Sequence, residues 1–308
     1  MIKTKTLFIL GAGASAPFQY PTGDGLRDDI LNKRHDKEIV NALNHYRDPD
    51  FEGELSLREI KKFKEKFTGA GVYSIDSFLE HRTEFMDIGK ISIARMLISY
   101  EIDNNLRATK NNWYMYLFDR MKGSFGQLDQ NNISFITFNY DRSLEYFLFE
   151  AVKDRFGRES TECAKMMKNL FPIVHLYGQL DPLPWQEKDG KKYSSTDNLL
   201  ERLCAAPENI KLISDERDIG KSEEFQKAYK LIKWADRIFF LGFSFDETNL
   251  KRLNISLMKS KTITGTALNL EKTKYDWVKN HFDTVISTGI NLYKIDALSL
   301  LQDCLTIE

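Results

Sequence analysis

The residues of this 308-residue chain best suited to chemistry stand at the ends of short apolar runs. Gly11-Ala12-Gly13-Ala14-Ser15 follows Thr6-Leu7-Phe8-Ile9-Leu10, and Asn139 and Asp141 follow Ile133–Phe138. His175 sits inside Pro172-Ile173-Val174-His175-Leu176-Tyr177-Gly178. Gly242 and Ser244 follow Arg237–Leu241, and Asn269 and Glu271 come at the end of Thr262–Leu270. Two glycines one residue apart behind a buried strand suit a turn that no side chain crowds. Gly11 makes the turn tight, Gly13 lets the backbone approach a pyrophosphate, and Ala16 lets the next helix pack on the strand. Free N–H groups at the start of that helix would hold an anion. Each residue also has a plainer reading. Asn139 is a common turn residue after a strand, a lone histidine such as His175 is more often a satisfied core residue, and Gly242-Phe243-Ser244 serves equally as a helix entry with Ser244 as cap. Asp76 reads as a helix cap rather than a site residue. His35, His45, His81 and His281 lie on charged helical segments and read as surface residues.

The elements that must position these residues follow from pattern. Strands are expected at Thr6–Leu10, Ile133–Phe138, Phe171–Leu176, Ile210–Ser214, Arg237–Leu241 and Thr262–Leu270, with Ile290–Ile295 as an edge strand. Amphipathic helices are expected at Arg142–Lys153, Asp197–Cys204, Glu223–Ala235, Glu247–Lys259 and Lys272–His281. Between Asp28 and Asn131 the strand signal disappears. Leu57–Phe67, Ile75–Met86 and Ile91–Leu106 instead repeat apolar residues at helical spacing, with Gly53, Gly69, Gly71, Gly123 and Gly126 between them. Thr22 or Asp24 is expected to cap a helix beginning near Leu26, and Asp181–Ser195 to form a surface loop. The expectation is an α/β fold: a Rossmann-like, doubly wound, mostly parallel sheet formed by residues 1–27 and 132–308. A helical insertion, residues 28–131, would act as a lid or oligomer surface.

Composition narrows the classes. With 42% hydrophobic and 29% charged residues the chain is globular, and its net charge of −1 provides no overall field toward nucleic acid or an anionic membrane. Direct nucleic-acid binding is therefore not expected. No apolar run approaches the roughly 20 residues that span a bilayer. Met1–Lys5 leads straight into the first strand, so no signal peptide is expected and the cytoplasm is the expected compartment. The three cysteines, Cys163, Cys204 and Cys304, are far apart and form no C-x-x-C pair, which argues for reduced thiols and against a structural zinc; no metal is expected.

Taken in order, Gly11-Ala12-Gly13-Ala14-Ser15, Thr137-Phe138-Asn139-Tyr140-Asp141, Val174-His175-Leu176-Tyr177-Gly178, Gly242-Phe243-Ser244 and Leu268-Asn269-Leu270-Glu271 resemble the sirtuin family. The corresponding family stretches are G-A-G-x-S, T-Q-N-I-D, L-H-G, G-T-S and N-x-E. The pattern departs from the deacetylase branch in three places. Only Cys204 stands between Gln179 and Ser214, where that branch carries two C-x-x-C pairs. Tyr177 is inserted before Gly178, and Tyr20-Pro21-Thr22-Gly23 replaces G-I-P-D-F-R. In these respects the chain looks like the zinc-less sirtuin-like NAD hydrolases of bacterial antiphage defence. The resemblance implies cleavage of NAD+, as substrate, to nicotinamide and ADP-ribose. It assigns catalysis to Asn139 and His175 with Asp141 in support, and the nucleotide to Gly11, Ala12, Gly13, Ser15, Thr22, Gly242, Ser244, Asn269 and Glu271. It also implies a homo-oligomer and a partner protein, of the kind of a nucleic-acid-linked (HerA-type) ATPase or an argonaute-type protein, with activity restrained until infection.

Cleaving the nicotinamide–ribose bond releases a neutral leaving group and needs no strong acid. Asn139 would orient water or ribose, and His175 would contact ribose hydroxyls or accept a proton. An NAD-dependent protein deacylase and a non-catalytic NAD or ADP-ribose sensor are the alternatives. A dehydrogenase fits worst, because no second strand ends in an acid about 20 residues past the glycines.

Overall fold

The computed structural model describes residues 1–48, 55–212 and 219–305. Its frame is one six-stranded sheet: β1 (Thr6–Leu10), β2 (Ile133–Thr137), β3 (Ile173–His175), β4 (Arg237–Leu241), β5 (Thr262–Thr266) and β6 (Asn291–Tyr293). The order is β3-β2-β1-β4-β5-β6 and every pairing is parallel. This is the Rossmann-like, doubly wound α/β fold. The central strand β1 is buried at all five positions, which explains its continuous apolar run: helices cover both faces of a parallel sheet. In register, Phe8 faces Phe135 on one side and Phe239 on the other, with ring centroids 5.2 and 5.6 Å apart. A row of aromatic rings thus fixes the three central strands to one another.

Between β1 and β2 the described chain is helical. It comprises α1 (Ala12–Ser15), α2 (Gly23–Leu31), α3 (Asp36–Arg47), α4 (Leu55–Gly69), α5 (Ile75–His81), α6 (Met86–Ile98), α7 (Asp103–Ala108) and α8 (Trp113–Arg120). Later come α9 (Ser143–Phe156), α10 (Ser160–Leu170), α11 (Leu199–Asn209), α12 (Glu223–Trp234), α13 (Glu247–Arg252), α14 (Lys272–Val285) and α15 (Ala297–Cys304). Local chemistry sets several boundaries. Ser222, Asp246 and Asp296 accept backbone N–H groups at the starts of α12, α13 and α15, and Gly157 takes the left-handed conformation that ends α9. The helix after the glycine turn begins at Gly23, with Thr22 at the cap position but making no side-chain cap bond.

Some expectations are corrected. Ile210–Lys211-Leu212 forms no strand; Ile210 makes only an isolated antiparallel bridge to Gly178, and residues 213 and 214 lie outside the described residues. The helix expected over Glu247–Lys259 ends at Arg252 and resumes as a 3-10 turn over Ile255–Met258. Ala16 is exposed and opens a 3-10 turn, so it does not pack a helix on β1, and α1 is a single turn.

The stretch expected as a surface loop is instead anchored in the interior. Asp181, Leu183 and Tyr193 are buried, and two fully buried arginines hold the segment. Arg142 grips Glu101 with two bonds of 2.6 and 3.0 Å and donates to the carbonyls of Asp181, Pro182, Lys191 and Lys192. Arg202 bonds Glu101 at 2.9 Å, Asp181 at 2.7 Å and the Ser195 carbonyl at 3.0 Å. Two cations, two anions and a ring of carbonyls satisfy one another, the condition under which buried charge is tolerated. Glu101, between α6 and α7, thereby fastens the helical stretch to the start of α9. Glu101→Ala leaves both arginines without their shared anion and is expected to cost about 3–5 kcal/mol of stability, read as a lowered denaturant midpoint; an unchanged midpoint would show the cluster to be dispensable.

Candidate functional site

Because all strands run in parallel, the segments after β1, β2, β3, β4 and β5 emerge at one edge of the sheet. The strand order reverses between β1 and β4, where open α/β sheets form their ligand crevice. The glycines of both flanking turns meet there. A Cβ on Gly11 would stand 2.6 Å from the carbonyl oxygen of Gly242, and one on Gly13 2.9 Å from the Gly242 Cα. Gly242 has a positive φ of 57°, and a side chain there would overlap the backbone of Gly13 and Ala14. The N–H of Gly11 donates to Leu241 at 3.1 Å, that of Gly13 to Gly242 at 3.0 Å, and that of Ala14 to Gly11 at 2.9 Å. The steric reason for these glycines is thus the neighbouring turn of the protein, and three N–H groups expected to face an anion are already bonded.

Asn139 is half-buried beside this junction. Its Nδ2 donates to the Gly11 carbonyl at 3.1 Å and to the Ser15 Oγ at 3.0 Å, while no described residue donates to its Oδ1. Ser15 in turn donates to Asp141 Oδ2 at 2.8 Å. The other oxygen of Asp141 accepts from the N–H and hydroxyl of Ser143, whose Oγ is paired with Tyr114. Burial pushes the Asp141 carboxyl above the ordinary carboxylate range, against the hydrogen bonds from Ser143 and Ser15. Trp113, on α8, donates its ring N–H to the Ala14 carbonyl at 2.8 Å.

His175 ends β3, paired in register with Thr137, and its ring lies against the same turn. Nδ1 donates to the backbone carbonyl of Asn139 at 2.9 Å, and Nε2 meets the carboxylate of Glu145 on α9. Burial alone disfavours the cation, but the charge and hydrogen bond of Glu145 outweigh it and raise the histidine above its ordinary value. Both ring nitrogens face acceptors, an arrangement that favours the protonated ring.

Gly11, Ser15, Asn139, Asp141 and His175 therefore form one connected group, with Gly13 and Gly242 packed beside it and Ala12 exposed in the same turn. Thr22, Ser244, Asn269 and Glu271 are exposed and make no bond to that group. Ser244 does not cap α13, because Asp246 does. Thr266, at the end of β5, accepts from the Gly242 N–H at 2.8 Å and is a neighbour the sequence did not flag. Glu145 was missed for a clear reason: an acid in a helical segment reads as a solvated face, and only the fold turns it inward.

The helical stretch also reaches this edge. Ser74, not Asp76, caps α5, and the Asp76 carboxylate accepts the Tyr140 hydroxyl at 2.6 Å. Glu80 pairs with Arg252 at 3.0 Å, and Arg252 donates to the Tyr177 hydroxyl at 2.8 Å. The inserted Tyr177 thereby ties the end of β3 to α13. A cavity of about 400 Å³ lies between α4 and α5, lined among others by Glu65, Phe78, His81 and Arg82, and includes none of the predicted site residues. Among the described residues no group of three or more His, Cys, Asp or Glu could hold a metal, and no helix is long and apolar enough to cross a membrane.

Fold and site together define an open parallel α/β protein with a polar cluster at its switch point. No protein-family model matches the chain, and no curated protein does. Among solved structures it is similar to Sir2Tm bound to a propionylated peptide, at 12% identity and a TM-score of 0.38, over 97% of this chain and 92% of that one. It is also similar to a Sir2 complex with the inhibitor EX-527, 2′-O-acetyl-ADP-ribose and a deacetylated p53 peptide, at 13% identity and 0.37, over 97% and 93%. A third, from work on sirtuin substrate affinity, stands at 14% identity and 0.38, over 97% and 91%. At that distance the likeness assigns no activity.

The His175 geometry predicts a pH dependence of stability. The native ring binds its proton above its usual 6.5, so its stabilising contribution is complete below that pH and is lost as pH rises through the raised native value. The melting temperature of wild type minus that of His175→Gln should be largest in acid and shrink in base; a difference independent of pH would contradict the assignment.

Proposed function

We propose that this chain is a sirtuin-like NAD+ glycohydrolase, hydrolysing NAD+ with water to nicotinamide, ADP-ribose and a proton. The observation that carries the reading is the convergence of the Gly11–Ser15 turn, Asn139, Asp141 and His175 at the reversal of strand order, with the Asn139 Oδ1 left open. That oxygen would accept a hydrogen bond from the attacking water, or from a ribose hydroxyl next to the reacting carbon. Water forms the new C–O bond as the C–N bond to nicotinamide breaks; nicotinamide leaves neutral and the water's proton goes to solvent. Ser15 and Asp141 would keep the amide of Asn139 turned so that this oxygen points outward. His175 would hold the Asn139 peptide. While protonated the ring has no lone pair, so it would accept a proton only after first releasing one.

The pyrophosphate would lie along the exposed side of the Ala12 turn. Ser244, Asn269 and Glu271, beyond β4 and β5, are where the adenosine half would extend, and Thr22 would close the other side. The reading continues to an effector of bacterial antiphage defence in the cytoplasm, assembled as an oligomer or with a nucleic-acid-linked ATPase or argonaute-type partner. The helices between β1 and β2 would carry the restraint: Asp76 and Glu80 of α5 already reach Tyr140 and, through Arg252, Tyr177.

Nicotinamide release from NAD+, assayed with the protein alone and with the product of its neighbouring gene, tests the reading. Asn139→Ala and His175→Ala should remain folded and lose about 10²-fold or more of the turnover. Wild-type rates in both variants, or tight nucleotide binding with no nicotinamide under any condition, would refute hydrolysis at this site.

A further inference from the structure

We infer that Glu145 is a positioning residue of this site: its carboxylate anchors Nε2 of His175 and so turns Nδ1 of the same ring onto the backbone carbonyl of Asn139. The inference rests on the glycohydrolase reading for its kinetic consequence, but not for the geometry. Glu145 lies on the buried face of α9 among Leu144, Phe147, Leu148, Phe149 and Val152, where an acid is costly unless paired. Its side chain is 3% exposed, and His175 is its one hydrogen-bond partner among the described residues. From the ring the chain of contacts runs on: Nδ1 holds the Asn139 carbonyl, and the Asn139 amide holds Gly11 and Ser15. One carboxylate thus locks both the backbone and, through it, the side chain whose Oδ1 stays open. The charged groups acting most strongly on the ring are Glu145 on α9 and Asp141 just before it, and no cation stands among its main influences.

The test uses the full chain with ¹⁵N-labelled histidine, His175 being assigned by its disappearance in His175→Gln. In wild type both ring nitrogens should keep imidazolium shifts above pH 6.5, the ordinary value for the group. In Glu145→Gln the ring should become neutral at least about 1 pH unit lower, and Glu145→Asp should restore part of the difference. Turnover of NAD+ by Glu145→Gln should fall about 10- to 100-fold, the size seen when a carboxylate that orients a ligating histidine is removed at metal sites, with the loss in kcat rather than KM. Identical ring titrations in wild type and Glu145→Gln overturn the inference whatever the turnover. A ring that follows Glu145 in a protein that never releases nicotinamide upholds the anchoring and refutes the glycohydrolase reading instead.

Discussion

Backbone lies on backbone where the turn after β1 meets the turn after β4. Gly11 and Gly13 approach Gly242 so closely that no side chain fits on either side, and Gly242 adopts a conformation disfavoured for other residues. Everything else at this edge is referenced to that contact. Asn139 bonds the Gly11 carbonyl, Trp113 the Ala14 carbonyl, and Thr266 the Gly242 amide. A shift of the glycine turn would therefore move groups contributed by the segment after β2, by α8 and by β5 at once. The absence of Cβ atoms, often read as space for a ligand, here serves first to let two loops of the protein touch.

Around that junction the polar residues form two linked layers. Ser15, Asp141, Ser143 and Tyr114 make a chain of hydroxyls about one buried carboxylate, while His175 and Glu145 make a buried pair on the other side of Asn139. Neither layer is isolated from the scaffold. Arg142, the residue after Asp141, belongs to the cluster with Glu101, Arg202 and Asp181. The segment from Asp181 to Ser195 is thus held by the same stretch of chain that carries the site. Buried polar networks of this kind, when satisfied, rigidify the scaffold and favour one arrangement of it.

The long helical stretch between β1 and β2 is more than an appendage to this edge. Through Asp76 and Tyr140 it touches the residue after Asn139, and through Glu80, Arg252 and Tyr177 it touches the end of β3. These contacts give the helices a physical route to the two residues on which the proposed chemistry depends. They also account for Tyr177, which in the sequence looks like an intrusion between the histidine and its glycine. Its hydroxyl donates to Asn249 and accepts from Arg252.

The parallel sheet was legible in the sequence because buried strands must be apolar throughout and must end abruptly. Thr6–Leu10 and Arg237–Leu241 are found with the bounds their apolar runs suggest, and the polar residues that follow the strands mark one edge. Local rules failed where a residue's partner lies far along the chain. Asp76 follows a serine that caps its helix better, so its carboxylate was free for Tyr140, 64 positions away. Glu145 carries the same charge as a solvated helix residue and is distinguished only by the strand that brings His175 against it. The segment from Asp181 to Ser195 has the composition of a surface loop, yet two arginines and a distant glutamate draw it inward. Sequence determines which residues leave each strand and in what order. Which of them share a hydrogen bond, and which nitrogen of His175 is left to face Asn139, was decided only when the chain closed on itself, because burial and pairing of charge are properties of neighbours in space.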